Sequence, residues 1–210
     1  MIPAKKILVL SPHPDDGEFG CGASIARYLE AGAEVSVLVF SLCEESLPEN
    51  FSVSDIKKEL LDSWTSLGVS ESNVFISDYQ VRRFSEKRQE ILEELVARKL
   101  EFNPDLVFLP TTKDIHQDHQ IIATEGFRAF KQSTVLGYEL AWNTVAFPTQ
   151  AFITLNQNQL KLKAKALEKY KSQKSRQYFD EDFVKSLAQV RGVQAGKKYA
   201  EAFEVLRIVQ

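Results

Sequence analysis

The sequence predicts an α/β fold, a single domain on a mostly parallel sheet with helices on both faces. Three observations predict it. Short continuous apolar runs alternate four times with amphipathic stretches of helical period. The runs lack the polar alternation of a strand with one wet face, so they read as strands covered on both sides. The 210 residues, 44% hydrophobic and 26% charged, suit one domain with a sizeable core.

The elements follow in order. Residues 6–11 (KILVLS) read as the first buried strand, and 20–31 (GCGASIARYLEA) as a helix capped by Gly32. EVSVLVFS at 34–41 is a second strand, 54–67 a helix stopped by Gly68, and VFIS at 74–77 a third strand. Residues 85–101 form an amphipathic helix with Ser85 as N-cap. Pro104 breaks the chain before the fourth strand, DLVFLP, and the next helix runs from near His119 to about Phe130. The last third is less regular. VLGYEL and AFITL read as strands, 158–172 and 181–191 as helices, and AFEVLRIV as a closing strand. No repeat, low-complexity stretch or linker divides residues 1–210, so one unit is expected.

Such alternation builds a Rossmann-like sheet with right-handed crossovers. Ligands on such sheets sit at the carboxyl ends of the strands, where the strand order reverses. With the order 3-2-1-4, that point lies between strands one and four. The loop after strand one carries PHPDDGE, and the loop after strand four carries TTKDIHQDH, residues 111–119. Two loops distant in sequence are thus expected to face one crevice.

Composition narrows the function. A net charge of −3 gives no basic footprint for nucleic acid. Two cysteines make no disulfide framework and point to a reducing cytoplasm. The N-terminal apolar run is strand-length and has no small-residue cleavage site, and no stretch approaches the ~20 apolar residues of a membrane helix.

The three histidines, His13, His116 and His119, all fall in the two converging loops. His13 and Asp16 sit three apart across a tight turn, and His119 arrives from the other loop. Two imidazoles and a carboxylate with one position open is a catalytic zinc pattern, and the same donors suit Fe2+, Mn or Co. A metal of this kind lowers the pKa of bound water from 15.7 to about 7. Asp15, beside Asp16, is placed to take a proton from that water. His116, three residues before His119, is a proton donor or oxyanion stabiliser, and Asp118 can set an imidazole tautomer. A blander reading makes Asp15, Asp16 and Glu18 acids at a helix N-terminus, worth roughly 0.3–1 kcal/mol each. That reading leaves His13 unexplained.

Other features compete less well. GEFGCG, residues 17–22, follows a strand and precedes a helix, as in a nucleotide-binding module. Its glycines are spaced G-x-x-G-x-G, however, and Asp15, Asp16 and Glu18 would crowd a phosphate. Cys43 lies near the same edge, as a ligand or as an inert buried thiol. Arg82 and Arg83 follow the third strand, and Arg191 lies in a glycine-punctuated loop before the last one. Tyr79, Arg82, Trp142 and Arg191 are candidate substrate contacts. The basic stretch 161–176 reads as a solvated helix face.

These motifs resemble a family. PHPDD at 12–16 together with HQDH at 116–119 resembles the PIG-L/LmbE-like zinc-dependent deacetylases. KKELLDSWTSLGV, NPDLVFLPTTKDIHQDH and VRGVQAGKKYAEAF are similar to other segments of that family, so the resemblance spans most of the chain. It implies a Rossmann-like fold and removal of an N-acetyl group from an amino sugar, often N-acetylglucosamine on a larger aglycone. It implies His13, Asp16 and His119 as zinc ligands, Asp15 as general base, and His116 at the oxyanion or leaving amine with Asp118 in support. It also implies a small-molecule sugar substrate and, in many members, a homo-oligomer. Two departures stand out. Gly17 delays the acid of the common H-P-D-D-E form to Glu18. Ile56, with Lys57 beside it, stands where many members carry an arginine three residues before the position of Glu59. Cleavage of another small amide at the same site is the second reading.

Overall fold

The computed structural model describes residues 2–209. Five parallel strands, β1 (Lys6–Ser11), β2 (Glu34–Val39), β3 (Val74–Ile76), β4 (Leu106–Pro110) and β5 (Thr134–Tyr138), share one sheet. β6 (Ala151–Leu155) joins through β7 (Tyr199–Arg207), which runs antiparallel to both β5 and β6. The order is β3-β2-β1-β4-β5-β7-β6, so the expected 3-2-1-4 arrangement holds.

Strand alternation sends side chains into two separate cores. Ile7 and Val9 of β1 join the core beneath α1 (Asp16–Glu30), α2 (Val53–Leu67), α5 (Gln157–Leu167) and α6 (Glu181–Gln194). Leu8 and Leu10 join the core beneath α3 (Arg88–Phe102) and α4 (Gln117–Ala129). Each such side chain contributes roughly 1.5–3 kcal/mol, which is why these strands read as unbroken apolar runs. Crossovers pass over one face from β1 to β3 and over the other from β3 to β5. Winding therefore reverses between β1 and β4, and a crevice opens at their carboxyl ends.

Four boundaries differ from expectation, because buried contacts override local pattern. α1 starts at Asp16, so Gly17–Gly22 is helix and not a phosphate-binding loop. Its glycines are there for close packing: a Cβ on Gly20 would lie 2.2 Å from the Tyr138 ring, and one on Gly17 2.8 Å from Trp64. Ser85 does not cap α3. A tight turn over Phe84–Lys87 comes first, because fully buried Phe84 is drawn in beside His13, with ring centroids 5.8 Å apart.

The third concerns the basic stretch 161–176, which is not a solvated helix. α5 ends at Leu167 so that Tyr170 and Ser172 can turn inward. Glu59 of α2 accepts Ser172 Oγ at 2.6 Å and anchors the segment, while Lys163 is buried against Glu201. α6 extends to Gln194, so Arg191 is helical rather than in a loop.

Candidate metal centre and active site

The β1–α1 and β4–α4 loops meet at the crevice. Asp114 Oδ2 accepts from His119 Nδ1 at 2.8 Å, and Asp118 Oδ2 pairs with His13 Nε2 at 3.0 Å. Each carboxylate fixes its imidazole with a lone pair on the opposite nitrogen. Those two nitrogens, His13 Nδ1 and His119 Nε2, face each other at 3.1 Å. Asp16 Oδ2 lies 3.2 Å from each of them.

Three electron-rich atoms at this spacing repel unless a positive charge sits among them. A tetrahedral ion with bonds of about 2.0–2.1 Å holds its donors about 3.3–3.4 Å apart, so the residues present fit a divalent metal. Without one, a proton takes its place. Burial alone would lower His119, but Asp16 and Asp114 raise it to about 10. Burial pushes Asp16 upward, yet His119 and His13 hold its carboxyl well below the usual range.

The flanking groups complete the site. Asp15 precedes α1 in the left-handed region, φ 79°, and lines a cavity of about 180 Å³ with His13, Cys43, Arg82, His116, Gln173 and Arg176. Burial, then Asp16 and Glu18, raise its carboxyl well above the ordinary value. His116 is the N-cap of α4, its Nδ1 accepting from Asp118 N–H at 3.2 Å, which leaves Nε2–H as the free donor. Burial, then His119 and His13, lower His116 to about 4, so it is neutral near pH 7. Asp118 also accepts the backbone N–H groups of Arg82 and Phe84, at 2.6 and 3.4 Å. Burial and the nearby carboxylates push the Cys43 thiol upward and keep it protonated.

The structure brings together His13, Asp15, Asp16, His116, Asp118 and His119 from the sequence-derived set, with Arg82 at the rim. It does not bring in the rest. Tyr79 lines an adjoining groove, packed on Phe40 and Phe84. Trp142 stacks on Tyr178 at 3.8 Å, and Arg191 is bound to Glu139; these two line a separate small cavity. α6 carries Arg191 onto Glu139, next after β5, and away from the cavity lined by His13, Asp15 and His116.

Sequence reasoning passed over Asp114, Tyr170, Gln173 and Arg176. Asp114 was legible as a third carboxylate in the TTKDIHQDH loop. The other three lie in the segment taken for a solvated helix, where no pattern marks them.

A family model described as PIG-L, GlcNAc-PI de-N-acetylase, matches residues 8–130. The "Uncharacterized deacetylase YaiS" of Escherichia coli is 26% identical over 172 residues, 80% of this chain and 91% of that protein. Among solved structures, the N,N'-diacetylchitobiose deacetylase of Pyrococcus horikoshii has a TM-score of 0.78 at 22% identity, covering 97% of this chain and 84% of that one. The 4-carboxy-2-hydroxymuconate hydratase GalB of Pseudomonas putida has a TM-score of 0.73 at 18% identity, covering 98% of each chain. The matched segment runs from β1 to the end of α4 and contains both loops of the site: the chain belongs to the PIG-L de-N-acetylase family.

Proposed function

We propose that this protein is a metal-dependent hydrolase that removes the acetyl group from an N-acetylated amino sugar or sugar conjugate, with zinc as the metal and Fe2+ as the alternative. One observation carries the reading: a metal-competent donor triangle reaches, through His13, one small cavity that is also lined by the Asp15 carboxyl group and the neutral His116 imidazole. His13, Asp16 and His119 would hold the ion. When bound, a divalent metal supplies Lewis acidity, acidifying water and polarising a carbonyl.

The chain's own groups do the rest. The Asp15 carboxylate takes a proton from the water that attacks the acetyl carbon. His116 Nε2–H donates to the oxyanion that develops on the carbonyl oxygen. As the C–N bond breaks, the proton held on Asp15 passes to the leaving amine, giving acetate and the free amino sugar. The raised affinity of Asp15 for a proton suits both transfers. At the rim, Arg82 and Arg176 offer donors to sugar hydroxyls or to an anionic substituent.

The amide reading rests on the family match and these groups together. The fold alone does not select it, since GalB, a hydratase by name, shares the fold. Two free cysteines fit a reducing, cytoplasmic setting. The test is to load the protein with zinc or Fe2+ and supply a panel of N-acetylated sugars, sugar conjugates and other N-acyl compounds. Released acetate and free amine are then measured. Release from the sugars supports the reading. Release only from non-sugar amides favours the second reading, and no release from any amide overturns both.

A further inference from the structure

Glu18 is fully buried yet stands outside the donor triangle. Its Oε1 accepts from Ser63 Oγ and from the Tyr170 hydroxyl, each at 2.7 Å. Tyr170 is fully buried as well, and its oxygen accepts the backbone N–H of Asp15 at 3.1 Å. The hydrogen-bond chain thus runs from α2, through Glu18 and Tyr170, to the turn that carries Asp15.

Packing does not account for this arrangement. Glu18 Oε2 is buried with no partner among the described residues, a loss of about 1–3 kcal/mol that an apolar side chain would avoid. The reason lies at the other end of the chain. Asp15 sits at φ 79°, a region costing a non-glycine residue about 1–2 kcal/mol. Its own side chain makes no cap bond. Asp16 Oδ2 accepts His13 N–H at 2.9 Å and Ser11 Oγ accepts Gly17 N–H at 3.0 Å on either side of it, and the Asp15 N–H itself is held by Tyr170. The turn sends two consecutive carboxylates different ways: Asp16 to the His13–His119 pair, and Asp15 into the cavity. A strained conformation persists only where its surroundings fix it.

We propose that Tyr170, oriented by Glu18, is a positioning residue for Asp15: its hydroxyl locks the left-handed turn and so aims the general base. This rests on the reading of Asp15 given above. Tyr170→Phe removes one oxygen and keeps the ring. In the zinc-loaded protein it lowers kcat by about tenfold or more, with KM within about twofold and zinc content unchanged. In an Asp15→Asn background the same change has no further effect, because the residue acts only through Asp15. Glu18→Leu reproduces the loss, whereas Glu18→Gln keeps an acceptor oxygen and recovers most of it.

A second readout needs no substrate. Hydrogen exchange at the Asp15 amide speeds up in Tyr170→Phe and Glu18→Leu but not in Glu18→Gln, with α4 amides unchanged. Unchanged exchange in Tyr170→Phe overturns the proposal. So does a kcat within about twofold of an active wild type, or an equal loss in the Asp15→Asn background. If no amide is cleaved by the wild type while the exchange pattern appears, the functional reading fails and the tether stands.

Discussion

Asp114 and His119 form a 2.8 Å carboxylate–imidazole pair in which both side chains are essentially buried. The same Asp114 accepts the backbone N–H of His116 at 2.8 Å through its other oxygen. One carboxylate therefore sets the tautomer of a candidate ligand and the start of α4 together. Asp114→Asn is expected to weaken zinc binding by roughly 10–100-fold while the protein stays folded. Competition with a chromogenic chelator measures the affinity, and circular dichroism checks the fold.

Asp15 touches no ligand nitrogen, so Asp15→Asn should retain a full complement of zinc and lose about 10²-fold or more in kcat. Elemental analysis and acetate release, run on one preparation, separate the two effects. Turnover that survives with zinc in place would remove Asp15 from the role of base.

The donor triangle predicts strong linkage between metal and stability. Stripping the ion with a chelator should lower Tm, and added zinc should restore it in proportion to the logarithm of its free concentration. His119→Ala should abolish that response. A melting curve indifferent to zinc in the wild type would argue against the site.

His116 has two separable tasks, since Nδ1 caps α4 and Nε2–H faces the cavity. His116→Ala should cost about 1 kcal/mol through the lost cap and about 10²–10³-fold in kcat. His116→Asn can still cap, so it should recover the stability and leave most of the rate deficit. Denaturant melts and steady-state kinetics on both variants test the division.

Arg191 is expected to matter for folding and not for substrate. Arg191→Ala strands the Glu139 carboxylate, 8% exposed, at a cost of roughly 3 kcal/mol. kcat/KM at 25 °C should stay within about twofold. A large rise in KM would return Arg191 to the binding site.

The parallel sheet was legible because strands buried on both faces are apolar along most of their length, as β1, β2 and β4 are. The place of the candidate site was legible because metal-ligand chemistry admits few residue types, and all three histidines fall in the two loops that the topology joins. What stayed hidden depends on tertiary contact. Tyr170 and Ser172 turn inward toward Glu18 and Glu59, partners more than a hundred residues away. Local sequence offers a helical, basic pattern there instead. Arg191 misled for the converse reason: two nearby glycines suggested a loop, but Gly192 is packed inside α6 against the Lys198 backbone.

The segment after α5 carries two kinds of residue with opposite freedoms. Tyr170 and Ser172 face inward and are bonded to the scaffold, while Gln173 and Arg176 face the cavity. Exchange of the outward pair is expected to alter what the cavity admits and to leave the candidate metal donors untouched. On the proposed function, these two positions are where engineering can redirect substrate choice while the catalytic groups stay in place.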